Sequence, residues 1–298
     1  MKTICPGNLA RVAAAALTCV LLTVATGRAD ELKVVTSATF KPAYLELVSE
    51  YERATHDVLV TEYGPSMGAT HNAIPMRLNR GEEIDVIIMA ARRLDDLVKE
   101  GKVRAEGRVD LARSNIAMAV KAGAPKPDIS TLDALTKTLL AAKSIACSDS
   151  DSGVYLTTEL FQKLGIADQI KGKVIRIEAT PVGEAVASGN AEIGFQQISE
   201  LLPVKGIDIV GPLPPGAQRV TFFAAGIPVT ARNPVGAKRL IQWLASPAAY
   251  SAIHKSGLEP AKSKQFNRRG SQFRSKPRVE SFNGFGANSR ARCATPDP

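Results

Sequence analysis

Leu32-Lys33-Val34-Val35-Thr36-Ser37-Ala38-Thr39-Phe40-Lys41-Pro42-Ala43-Tyr44-Leu45 reads as one complete unit: a short apolar strand, a hydroxyl-rich turn and a helix. Pro42 can open that helix, because a first turn leaves its N–H groups unbonded anyway. Tyr44, Leu45, Val48 and Tyr51 then recur at helical spacing. The same order returns twice. Val58-Leu59-Val60 leads into Gly64-Pro65-Ser66-Met67-Gly68, and Ile145-Ala146-Cys147 leads into Ser148-Asp149-Ser150-Asp151-Ser152-Gly153. Helix starts carry unpaired N–H donors and a partial positive charge, so such turns can hold an anion without a formal cation. Three of them point to a capture site.

Outward from these units, short apolar runs alternate with helical patterns from Asp30 to Pro260, which predicts α/β layers with largely parallel sheets. Strands are expected at Ile84–Met89, Ile116–Val120, Val174–Ile177, Ile193–Phe195 and Val220–Val229. Helices are expected after Asn72 as N-cap, around Leu94 to Val98, around Leu156 to Leu164, from Pro234 to Trp243 and from Ser246 to Gly257. The Pro- and Gly-rich break at 122–127 marks a passage into a second α/β series. Two interleaved lobes account for the order, lobe 1 from 30–115 and 220–260 and lobe 2 from 116–219. A single doubly wound sheet satisfies the same alternation.

The ends of the chain set its compartment and charge. Lys2 and Arg11 precede an apolar stretch from Val12 to Thr26, and Gly27-Arg28-Ala29 supplies small cleavage-site residues, so 1–29 reads as an export signal cut near Ala29. That stretch is shorter than the ~20 residues a membrane-spanning helix needs. A periplasmic location is expected, with only Cys147 and Cys293 left in the mature chain and no disulfide framework. The net charge of +9 invites a nucleic-acid reading, but residues 261–298 carry +7 of it and the signal +3, leaving the segment 30–260 at about −1. The tail reads as a disordered, solvated extension, and no nucleic-acid partner is expected.

Two catalytic readings compete with a capture site. Gly64-Pro65-Ser66-Met67-Gly68 matches the G-x-S-x-G elbow of α/β-hydrolases, with Asp208 and His254 following in the order a triad requires. Against it, Pro75 would break the helix that must run from the serine, Ser66 comes too early in the chain, and His254 falls in a helical segment. A metal site fares worse, because His56, His71 and His254 have no ligand spacing among them.

With these residues in view, the chain resembles the molybdate-binding proteins of ABC importers, a branch of the type II periplasmic solute-binding fold. The likeness rests on Val34 through Phe40 with its helix, Gly81 through Met89, Ser152-Gly153-Val154-Tyr155, Gly183 through Phe195, and Ser246 through Pro260. The resemblance implies an α/β protein of two lobes, each a mostly parallel sheet flanked by helices, closing over an oxyanion held by hydroxyls and backbone N–H groups. The family's first serine falls on Thr39 and its second on Ser66. Its second-lobe backbone donor falls near Ser152, and another near Pro181 or Val182. Its ligand-binding tyrosine is replaced by Gln197, after Gln196. An amide accepts as well as donates, and Asp149 and Asp151 accept too, so a ligand bringing its own protons also suits the site. Arg92 and Arg93 are available to pair with a carboxylate, or to face solvent.

The expected ligand contacts are Ser37, Thr39, Ser66, Ser148, Ser152, Gly153, Gln196 and Gln197. The expected function is an importer's solute receptor for a small anion, molybdate or tungstate first, a small organic polycarboxylate second, with a serine esterase using Ser66 as a third reading. The expected partner is the ABC importer permease, the expected state a monomer, and no catalytic residue, metal or cofactor is expected.

Overall fold

The computed structural model describes residues 29–178 and 180–261. The expected export signal and basic tail, with Cys293, lie outside the described residues except at Ala29 and Ala261.

The chain begins with β1 (Glu31–Thr36), a single-turn 3-10 helix at Ala38–Phe40, α1 (Lys41–Thr55), β2 (Val58–Tyr63), α2 (Ile74–Asn79), β3 (Val86–Ala90), α3 (Ala91–Lys99) and β4 (Val103–Ser114). It continues through β5 (Ile116–Lys121), α4 (Leu132–Ala141), β6 (Ile145–Ser148), α5 (Asp151–Tyr155), β7 (Val174–Ile177), a helix at Val182–Ala187, β8 (Ile193–Gln197), a helix at Ile198–Leu201 and β9 (Ile207–Pro212). The return brings β10 (Thr221–Pro228), helices at Pro234–Leu244 and Tyr250–Lys255, and β11 (Glu259–Pro260). One sheet has the order β11-β4-β10-β3-β1-β2 and the other β7-β6-β8-β5-β9. The break at 122–127 lies after β5 and so within the second sheet's layer.

Four of the six strands of the first sheet and four of the five of the second run in one direction, as expected, but the pairing is mixed because a reversed strand is inserted in each. β2, β1 and β3 pair in parallel, as do β7, β6 and β8, because helical crossovers join them. β10 is wedged antiparallel between β3 and β4, and β5 between β8 and β9. Both wedged strands are the first after a crossing between sheets. A strand that starts at the crossing must run away from it, opposite to strands whose carboxyl ends point there.

The core follows from residue periodicity. Ala43, Tyr44, Leu47 and Tyr51 form the buried stripe of α1 and join Leu240, Ile241 and Leu244 on one face of the first sheet. Ile74, Leu78, Leu94 and Leu97 cover the other face. β3 is therefore apolar at every position, Val86-Ile87-Ile88-Met89-Ala90, as a strand covered on both faces must be. In the second sheet Leu135, Leu139, Leu156 and Phe161 pack with Phe195 on one face, and Val182 and Val186 with Ala146 on the other. Cys147 is buried there, and its thiol is pushed up to about 12 by desolvation. The α2 helix starts one residue later than expected, with Ala73 rather than Asn72 at its N-cap and Pro75 in its first turn. β4 and β9 were not anticipated: β4 is interspersed with charged residues, and β9 is short and carries Asp208, Gly211 and Pro212.

One polar cluster ties the start of the chain to the returning helix. Asp57 is 3% exposed. It accepts from Tyr51 Oη at 2.9 Å, from Arg239 at 2.7 Å and from the Asp30 N–H at 3.1 Å. Burial by itself would raise this carboxyl, but Arg239, the Asp30 N–H and the Tyr51 hydroxyl outweigh it and hold the group below the usual carboxylate range. A carboxyl whose folded pKa is depressed stabilises the fold above its unfolded value of about 4 and loses that contribution as pH falls through the folded value. Asp57→Asn is expected to cost about 2 kcal/mol at pH 7 in urea denaturation, with the gap to wild type narrowing below about pH 4. An unchanged midpoint at pH 7 would show that the cluster contributes nothing.

Candidate functional site

The parallel strands of both sheets end at one cleft, the place where open α/β sheets present side chains to ligands. Ser37 and Thr39 follow β1, Ala90 ends β3, Ser148 ends β6, and Gln196 and Gln197 end β8. Together with the loop from Gly64 to Asn72 they border a cavity of about 280 Å³. At ~30 Å³ per water, that is the space of roughly nine water molecules.

Ser37, Thr39, Ser66, Ser148, Ser152, Gln196 and Gln197 all line this cavity, whereas Gly153 does not. Gly153 serves packing instead: a Cβ there would stand 1.7 Å from the Ser148 carbonyl oxygen, so only glycine lets α5 start this close to the end of β6. That approach gathers three hydroxyls. Ser148 Oγ lies 2.8 Å from Ser150 Oγ and 3.2 Å from Ser152 Oγ, and the latter two are 3.3 Å apart.

Among the described residues, two buried polar atoms of cleft residues have no protein partner, Ser37 Oγ and Gln197 Oε1. Their residues are 4% and 3% exposed. Such atoms are costly unless a ligand or water completes them. Gln197 donates its Nε2 to Thr221 Oγ1 at 3.0 Å, which turns its oxygen, an acceptor, away from that bond. Ser66 Oγ accepts from the Ala90 N–H at 3.0 Å. No helix runs from Ser66, and among the described residues no histidine lines the cavity; His254 is exposed on Tyr250–Lys255, and Asp208 accepts from the Gly123 N–H. The esterase constellation is not assembled.

Several expected anion donors are already engaged within the protein. The Ser37 N–H bonds Ile88 O at 2.8 Å, the Asp149 N–H bonds Ile177 O at 3.1 Å, and the Val182 N–H bonds Gln196 Oε1 at 2.8 Å. Arg93 pairs with Asp151 at 3.0 Å and Arg92 is exposed; neither lines the cavity.

Glu200 is the residue that sequence reasoning missed. It borders the cavity on the short helix after β8. Its Oε1 accepts from Thr39 Oγ1 at 2.6 Å and its Oε2 from Gln196 Nε2 at 2.6 Å. Desolvation pushes its carboxyl up to about 7, against the pull of those two hydrogen bonds and with a smaller push from Asp149. The signal available in sequence was the spacing of Gln196 and Glu200, four residues apart across a helix start. Among the described residues no Lys, Arg or His lines the cavity, while Asp149, Asp151 and Glu200 all do.

Comparison with known proteins fits this architecture. Residues 32–259 match the model of the bacterial extracellular solute-binding protein family. An aconitate isomerase from a Pseudomonas species is 47% identical over 229 residues, covering 77% of this chain and 87% of that protein. The molybdate-binding protein of Azotobacter vinelandii is 24% identical over 243 residues, covering 77% of this chain and 90% of that protein. The solved structure of the Azotobacter vinelandii periplasmic molybdate-binding protein aligns with a TM-score of 0.60 at 22% identity, over 76% of this chain and 98% of that one. The L-phospholactate-bound structure of PEB3 aligns with a TM-score of 0.59 at 13% identity, over 76% and 99%. The chain therefore belongs to the bacterial extracellular solute-binding proteins and has the two-lobed, molybdate-binding-protein-like type II periplasmic fold.

Proposed function

We propose that this chain encloses a small unsaturated polycarboxylate of the aconitate kind and interconverts its double-bond isomers. The observation that carries this reading is Glu200 at the wall of the cleft, its two oxygens hydrogen-bonded by Thr39 and Gln196 and its carboxyl pushed up to about 7 by desolvation. A group poised near the working pH is suited to move protons. The 47% identity to an aconitate isomerase supports the substrate class.

The chemistry asked of the cleft is modest. Aconitate carries a methylene between a carboxyl group and a double bond. Loss of one methylene proton, followed by return of a proton to the far end of the three-carbon system, moves the double bond by one position and exchanges cis and trans forms. No oxidant, reductant or metal takes part in that balance. Closure over the substrate excludes water and strengthens each hydrogen bond to it. In this reading the export signal is removed near Ala29 and the mature chain works in the periplasm as a monomer, lobe 1 formed by 30–115 and 220–260 and lobe 2 by 116–219.

A second reading, a receptor for molybdate or tungstate serving an ABC importer permease, is favoured by one feature, the hydroxyl cluster of Ser148, Ser150 and Ser152. The two separate in one experiment. Proton NMR of trans-aconitate in D₂O with the protein is expected to show cis-aconitate forming with deuterium in its methylene. In a thermal-shift panel, trans-aconitate at about 100 times its Kd is expected to stabilise the protein by about 2.7 kcal/mol, with no shift from molybdate or tungstate. A shift from the oxyanions alone, with no isomer formed, would overturn the proposal in favour of the receptor.

A further inference from the structure

Glu200 and Thr39 stand 161 residues apart in the chain and on opposite lobes, yet they share a 2.6 Å hydrogen bond at the floor of the cleft. Thr39 follows β1 of the first sheet; Glu200 follows β8 of the second. The other carboxyl oxygen is held from within its own lobe by Gln196, whose amide is fixed in turn by the Val182 N–H. One bond to the carboxyl is therefore permanent, and the other exists only while the lobes are together. Two further polar contacts cross the same seam, Arg93 to Asp151 at 3.0 Å and Gln197 Nε2 to Thr221 Oγ1 at 3.0 Å.

Resting on the isomerase reading above, we propose that Glu200 is the single acid–base group of the reaction and that closure of the lobes, through Thr39, completes it. The Glu200 carboxylate takes a proton from the substrate methylene, and the electron pair left behind spreads over the three-carbon system onto the adjoining carboxylates. The protonated Glu200 then returns a proton to the other terminal carbon, and the carboxylate is regenerated. Ser37, whose hydroxyl has no partner among the described residues, also borders the cavity and carries a donor of the kind a substrate carboxylate accepts from.

Thr39 is a positioning residue in this scheme. Its hydroxyl donates to the ionised form of Glu200 and so favours it; with the lobes apart, desolvation by the cleft wall would be relaxed but this donor would be lost. The charged groups around Glu200 are few. Asp149 faces it from the turn after β6. Glu184 on the neighbouring helix Val182–Ala187 and Lys121 at the end of β5 are both exposed, and the Ala38–Phe40 turn carries no charge.

The test compares wild type with Glu200→Gln, Thr39→Val and Thr39→Ser, using trans-aconitate as probe. For wild type, kcat/KM is expected to rise with pH through about 7, as the free protein's base loses its proton. Glu200→Gln keeps the shape but cannot carry the proton: turnover is expected to fall by about 10²- to 10⁴-fold while the thermal shift with trans-aconitate persists. Thr39→Val is expected to move the rising limb to higher pH, and Thr39→Ser to restore it; a role in folding alone would lower the plateau without moving the limb. Wild-type turnover with Glu200→Gln within threefold of it would overturn the assignment of Glu200 and leave the isomerase reading standing. A wild type that shifts with trans-aconitate and never forms the cis isomer would overturn both.

Discussion

A carboxyl group at the seam of two lobes, with no Lys, Arg or His lining the cavity beside it among the described residues, constrains the rest of this cleft. Glu200 is the carboxyl. Removing an ionised carboxylate from water is expensive, and a protein can respond by pairing it, hydrogen-bonding it or letting it keep its proton. Here the response combines the last two: Thr39 and Gln196 each donate one hydrogen bond, and desolvation still leaves the group titrating near neutrality. Because one donor comes from each lobe, the cost of burying Glu200 is tied to the cleft being shut. The arrangement of turns, strands and crossings brings Thr39 to that point.

The donor and acceptor count of the cleft follows from the same constraint. A receptor for a fully ionised oxyanion wants hydroxyl and N–H donors only. This cleft does supply hydroxyls, in the serine cluster and Ser37, but it turns several backbone N–H groups inward to its own carbonyls and adds three carboxyl side chains and the unpartnered Gln197 oxygen. Arg93, the nearest means of balancing them, is paired with Asp151. The chemistry fits a ligand with its own acidic hydrogens, whether on oxygen or on carbon.

The parts of this design visible in sequence are those written locally. β1, β3, β6 and β8 announce themselves as apolar runs because each is covered on both faces or at its buried end, and the turns after them carry the hydroxyls that line the cleft. Seven of the eight expected contact residues border the cavity, six of them at or just after the ends of β1, β6 and β8 and Ser66 in the loop after β2. β4 was invisible because it alternates charged and apolar residues, Val103-Arg104-Ala105-Glu106-Gly107-Arg108, and lies toward the edge of its sheet, where such alternation resembles a loop. The antiparallel wedges were equally hidden, since strand direction depends on where the chain crosses between sheets and not on the residues of the strand. Glu200 was missed because its decisive partner is 161 positions away. Gly153 was misread in the opposite sense: its neighbours line the cleft, but its own requirement is the 1.7 Å a Cβ would leave to Ser148 O.

A solute receptor already has most of what a proton-transfer catalyst needs. It surrounds a small molecule, excludes water, and fixes the ligand by hydrogen bonds that do not reorganise once the lobes meet. What it lacks is a group that can give and take a proton at the ligand's carbon skeleton. In the proposed reading, Glu200 after β8, with its ionised form supported across the seam, supplies that group within the same fold. In the proposed reading, proton transfer is thus added at the floor of the cleft while the serine cluster keeps the hydroxyls that suit a solute receptor.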